Sequence, residues 1–220
     1  ITAKVVATNI KGDSAQSVAS NSNIIAQSKP TAEVTNLAAT STATSITLTW
    51  DPLVEGTSTG FSQALTYIVV HDNNGSGDVT REVTKADGET ATFTGLTTGG
   101  NYSFTIAVTN KHGTGPTTSS SFSYIAASAP ETPTAPVISQ ALLSTSIDID
   151  WTVVASSNGL AITSYQLLIL DMSLSTPAYV ENTTICNAVS TGTSNCNIEM
   201  AVFTSTLGYD KGEPISAKLV

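Results

Sequence analysis

The sequence predicts an all-β protein made of tandem repeated domains, and three observations carry that expectation. Short apolar runs, many of them β-branched, alternate with clusters of Ser, Thr, Gly and Asn; this is the pattern of half-buried strands joined by turns. The stretch SITLTW (Ser45 to Trp50) returns as SIDIDW (Ser146 to Trp151), 101 positions later, and a fixed period marks a repeat architecture. Finally, the chain opens on ITAKVV and closes on ISAKLV, so the same strand begins and ends it.

The elements follow in order. Ile1, Ala3, Val5 and Ala7 alternate with polar residues, and Asn9 and Gly12 then mark a turn. This segment matches NYSFTIAVTNKHG, in which Tyr102, Phe104, Ile106 and Val108 alternate before Asn110 and Gly113, again at an offset of 101. PTAEV (Pro30 to Val34) opens the next domain, and Ile46, Leu48 and Trp50 place one strand face inward. A Gly-rich loop leads to the Tyr67-Ile68-Val69-Val70 strand, and Asn74-Gly75 reads as a hairpin turn. After Gly113 the series restarts with PTAPV (Pro133 to Val137), then Ile147, Ile149 and Trp151, then Tyr165-Gln166-Leu167-Leu168. ISAKLV falls in the register of NYSFTI, with Ile215 opposite Tyr102.

These residues carry a family resemblance. Trp on the second strand, Tyr on the third, and Leu96, Tyr102, Phe104, Ile106, Val108, Asn110 and Gly113 at their spacing resemble the fibronectin type III signature. The resemblance implies tandem seven-stranded, immunoglobulin-like β-sandwiches of about 100 residues each. Leu96 to Tyr102 resembles the tyrosine corner of that family, with Thr98 and Gly100 where Pro and Thr are usual; Ile1 and Ile215 replace the corner Tyr in the other two segments. The implied map is the last two strands of a preceding domain over 1–28, a complete domain over 29–126, and a domain lacking its final strand over 129–220. A narrower likeness, in Cys-x-Ile, Tyr-x-x-Gly and ISAKLV with ATN-x-x-GDS, is to repeats of large surface proteins of single-celled eukaryotes.

Composition narrows the function. Charged residues are 11% and the net charge is -9, which argues against nucleic acid as a partner. The apolar runs are of strand length, so no membrane insertion is expected within this segment. Cys186 and Cys196 are too far apart for a redox pair and no His stands near. A local disulfide is the expectation, and it implies an oxidising, extracellular or cell-surface location.

Candidate chemistry meets a plainer reading at each place. Gly56-Thr57-Ser58-Thr59-Gly60 has the letters of a nucleophile elbow but sits between strands, where that motif needs a strand-turn-helix corner. Asp72 to Asp78 has oxygen ligands at alternate positions but Val83 where a calcium loop needs Glu. Lys11-Gly12-Asp13 resembles an adhesion tripeptide, though Gly12 serves the turn. His71 and His112 lack ligand neighbours and read as strand-edge and turn positions. Asn74, Asn101 and Asn182 begin N-x-S/T sequons and are candidate N-glycosylation sites.

No catalytic, cofactor or metal constellation emerges, so no enzyme and no cofactor are expected. The sequence points to a structural segment of a long extracellular fibre or filament, whose partners are copies of itself or adjacent repeats. The alternative is an adhesin or receptor ectodomain that binds protein or glycan through its loops. The last domain is completed either by covalent continuation or by strand donation from a neighbour, and the duplicated strand favours continuation.

Overall fold

The protein is seen in a computed structural model that describes residues 1–21, 24–72, 77–118, 121–186 and 194–220. It forms two compact units, Ile1–Leu96 with Gly100–Ala126, and Thr97–Gly99 with Ala127–Val220.

The first unit opens with a hairpin, β1 (Thr8–Asn9) and β2 (Gly12–Asp13). There follow β3 (Thr35–Thr42), β4 (Ser45–Asp51), β5 (Thr66–Asp72), β6 (Asp78–Thr84), β7 (Thr90–Thr94), β8 (Asn101–Asn110), β9 (Gly113–Thr117) and β10 (Phe122–Ile125). One sheet has the order β3-β4-β7; the other runs β10-β8-β5-β6, with β9 also on β8. Since β9 and β10 both pair with β8, they are two lengths of one edge strand, and the sandwich counts seven strands.

Alternation decides which side chains enter the core. Ile46, Leu48 and Trp50 of β4 point inward and are at most 5% exposed. They pack in one cluster with Tyr67 and Val69 of β5 and Tyr102, Phe104, Ile106 and Val108 of β8. Trp50 meets Tyr67 edge-on, with ring centroids 5.2 Å apart, a geometry that contributes about 0.5–1.5 kcal/mol beyond area burial. His71 corrects its strand-edge reading. It lies on β5, which is paired on both sides, and is 2% exposed among Phe93, Tyr102 and Phe104. As the inward member of the Tyr67, Val69, His71 series, it fills an aromatic layer, with Nδ1 3.0 Å from the Asp72 carbonyl oxygen.

The second unit comprises β11 (Val137–Ser139), β12 (Ser146–Asp150), β13 (Leu167–Asp171), β14 (Ala178–Glu181), β15 (Asn195–Glu199), α1 (Met200–Ser205) and β16 (Ala217–Leu219). Its sheets, β11-β12-β15 and β14-β13-β16, repeat β3-β4-β7 and β6-β5-β8. Among the described residues β16 pairs only with β13. The short helix α1 departs from an all-strand expectation. Its turn brings Phe203 and Leu207, four residues apart, into the core at 1% and 0% exposure. No helix among the described residues is long and apolar enough to cross a membrane.

Cys186 and Cys196 are joined in a disulfide with Cα atoms 6.0 Å apart. Closing so short a loop contributes about 3 kcal/mol in the chain-entropy account. The second unit also obtains a tyrosine hydroxyl bond that the Ile215 register did not suggest. Tyr209 stands six residues before Ile215, as Leu96 stands six before Tyr102, and its hydroxyl donates to the Leu170 carbonyl at 2.8 Å. Burial pushes the Tyr209 hydroxyl's pKa up.

Candidate functional site

The chain's most developed constellation is polar and non-catalytic: a loop that grips the strand of chain entering each sandwich. In the first unit the residues before Pro30 run beside the loop from Gly56 to Ser62. Ser28 N donates to the Gly60 carbonyl and Thr31 N to that of Ser58, both at 3.0 Å. The Thr31 hydroxyl reaches the Thr57 carbonyl at 2.8 Å, and Gln27 Nε2 that of Phe61 at 2.9 Å.

Asn110, at the end of β8, completes the clasp. Its Nδ2 donates to the carbonyls of Ser28, at 2.7 Å, and Thr59, at 3.2 Å, while its Oδ1 accepts from His112 N at 2.8 Å. One amide therefore ties entering chain, loop and the turn after β8 together. The approach is close enough to require glycine. Gly60 has φ +63°, and a Cβ there would lie 2.0 Å from the Ser28 carbonyl oxygen, well inside any tolerated contact.

The second unit repeats the arrangement. Ser128 N donates to the Asn158 carbonyl at 3.0 Å and Glu131 N to that of Ser156 at 3.2 Å. Asn158 takes the place of Gly60, also left-handed at φ +51°, a conformation that Asn tolerates. Its own Nδ2 closes on the Ala129 carbonyl at 2.8 Å.

The amino-terminal hairpin repeats the bonds that hold the β8–β9 turn. Val5 N donates to Ser17 Oγ at 3.0 Å and Ser17 N to the Val5 carbonyl at 2.9 Å. The equivalents 101 residues on are Ile106 N to Thr118 Oγ1, at 3.2 Å, and Thr118 N to the Ile106 carbonyl, at 2.9 Å. Lys11 N donates to Asn9 Oδ1 at 2.8 Å, as His112 N does to Asn110. Asn9 thus holds the turn in the manner of Asn110, and Ile1, Val5, Val18 and Ile24 of this hairpin are 70–90% exposed.

The remaining candidates resolve individually. In Gly56 to Gly60, Thr59 is fully buried and its hydroxyl donates to the Gly56 carbonyl at 3.1 Å. The segment is a turn, and Ser58 serves it through its backbone. Asp72 and Asp78 face each other across β5 and β6, and Asp72 Oδ1 accepts from Ser103 N at 2.8 Å; Asn74 and its neighbours lie outside the described residues. No group of three or more His, Cys, Asp or Glu able to hold a metal occurs among the described residues. In Lys11-Gly12-Asp13 the Asp13 carboxylate accepts from the Thr8 hydroxyl within the hairpin. Asn101 opens β8, whereas Asn182 sits in a turn after β14.

Two further features recur without a ligand. The third-strand tyrosine hydroxyl is hydrogen-bonded in both units: Val154 N donates to Tyr165 at 3.1 Å, and Tyr67 donates to Glu89 Oε1 at 3.3 Å. Burial and then the Glu89 carboxylate push the Tyr67 pKa up to about 12. Among the described residues the buried indole Nε1 atoms of Trp50 and Trp151 have no hydrogen-bond partner. In the first unit the indole meets the Tyr67 ring edge-on.

Residues 28–124 match the family model of the fibronectin type III domain, a span that holds β3 to β9 and all of β10 but Ile125. The crystal structure of the chicken CNTN1 FN1–FN3 domains is similar over 89% of this chain, at 19% identity and a TM-score of 0.45. The chain spans 63% of that chain's length. No curated protein sequence matches the chain at a significant level.

Proposed function

We propose that this chain, with a fibronectin type III domain over residues 28–124, is a non-catalytic structural segment of a long extracellular or cell-surface fibre. The observation that carries the reading is the repeated clasp. Ser28 and Thr31 on Gly60 and Ser58, and Ser128 and Glu131 on Asn158 and Ser156, fix the entering chain through its backbone.

Three further features support it. The disulfide between Cys186 and Cys196 suits an oxidising compartment. Repetition of both hairpin and clasp suits a tandem array, whose stability sums over similar units. The likeness of the cysteine and ISAKLV segments to repeats in large surface proteins of single-celled eukaryotes points the same way.

A second reading has one observation of its own. Phe61 is 47% exposed beside Ile25, which is 62% exposed, and together with Gln27 and Lys111 they line a shallow depression. An adhesin could present such a surface to a partner. Backbone relaxation separates the two. The fibre reading expects the Ser28, Thr31, Ser128 and Glu131 amides to be as ordered as strand amides; disorder there to the level of an exposed tip removes its main support.

A further inference from the structure

Of the two sequons among the described residues, at Asn101 and Asn182, the structure singles out one. Asn182 follows β14, and its side-chain Oδ1 accepts from the backbone amides of Thr184 and Ile185, each at 3.2 Å. Its backbone carbonyl accepts from Ile185 N and Cys186 N at 3.1 and 2.9 Å. This is an Asx-turn closed by contacts within five residues. Among the described residues Asn182 Nδ2 takes no partner, and Thr183 and Thr184 are exposed. The turn ties the backbone of the third sequon residue, Thr184, to the Asn182 side chain.

Asn101 offers the opposite arrangement. It begins an extended strand, Tyr102 is 1% exposed in the core, and Ser103 Oγ lies 3.0 Å from Ser123 Oγ. Its sequon has no turn.

We propose that Asn182 is an N-glycan attachment site and that Asn101 is passed over. The inference rests on the extracellular reading above, since the donor is a lipid-pyrophosphate-linked oligosaccharide of the secretory route. Asn182 Nδ2 attacks the anomeric carbon of that donor, forming the N–C bond as the bond from that carbon to the pyrophosphate oxygen breaks. The lipid pyrophosphate leaves, and the amide releases one proton to a base of the transferase. Both amide hydrogen bonds to Oδ1 survive, because only nitrogen is substituted.

The test uses one peptide as reporter. The 220-residue chain is secreted from a eukaryotic cell, deglycosylated enzymatically in ¹⁸O water, and cleaved after Glu181 and Glu199. The fragment 182–199 carries both Asn182 and the two cysteines. The expected result is ¹⁸O-labelled Asp at 182, an intact disulfide in the same peptide, and unlabelled Asn101. Thr184→Ala should abolish the label, and Thr184→Ser should restore it with the disulfide unchanged. A disulfide-bonded peptide with unmodified Asn182 overturns the proposal alone, as does label at Asn101 without label at Asn182. Free thiols with unmodified Asn182 overturn the extracellular reading and the proposal with it.

Discussion

Gly60→Ala tests the clasp at its tightest point. The added Cβ would lie 2.0 Å from the Ser28 carbonyl oxygen and 2.7 Å from that of Lys29, both backbone atoms that cannot swing away. The left-handed backbone at φ +63° itself costs a non-glycine residue roughly 1–2 kcal/mol. Relief requires the entering chain to lift, which breaks the Ser28–Gly60 and Asn110–Ser28 bonds, each contributing about 0.5–1.5 kcal/mol. The sum is about 2–5 kcal/mol, concentrated on residues 27–31 and not on the sheets. Hydrogen exchange at Ser28 and Thr31 should therefore accelerate by roughly 30-fold to several thousand-fold, while Val69 and Ile106 amides barely change. Gly12→Ala is the control, with φ +130° but open space around its Cβ. Unchanged exchange at Ser28 and Thr31 would refute the claim that Gly60 is required for the clasp.

The other predictions concern the cores. Replacing both Cys186 and Cys196 with Ser should lower the second unit's unfolding free energy by about 3 kcal/mol, measured by urea titration; a loss under about 1 kcal/mol contradicts the loop-closure account. Tyr209→Phe removes the bond to the Leu170 carbonyl and should cost about 1 kcal/mol, measured the same way. The Tyr67 pKa is raised from 10.0 to about 12 on folding. The first unit's stability should therefore hold below pH 10 and fall as pH rises to about 12, because the unfolded chain releases that proton first. Tyr67→Phe should remove this component of the alkaline loss; an identical pH profile in the variant argues against it.

The cores were legible because their signal lies in side-chain spacing. Ile46, Leu48 and Trp50, and their partners Ile147, Ile149 and Trp151, alternate in the sequence and are all buried. The clasp was not legible, since the four bonds that the two units share join backbone to backbone and leave no trace in residue type. Only Gly60 and the recurring Asn9 and Asn110 hint at it, and each reads equally well as a turn residue. His71 was misplaced for a related reason: a polar letter at the end of an apolar run suggests an edge, but the period-two series turns it inward. The helix Met200–Ser205 escaped because a short apolar run such as Met200 to Phe203 suits strand or helix alike. Tyr209 escaped because its hydroxyl comes from the position of Leu96, one corner away from where the first unit carries its own Tyr102.

Immunogold electron microscopy with an antibody raised against residues 29–126 tests the central claim most directly. A structural segment predicts gold distributed along extracellular filaments. Gold confined to isolated points on the cell surface, with no filament beneath it, would contradict the account.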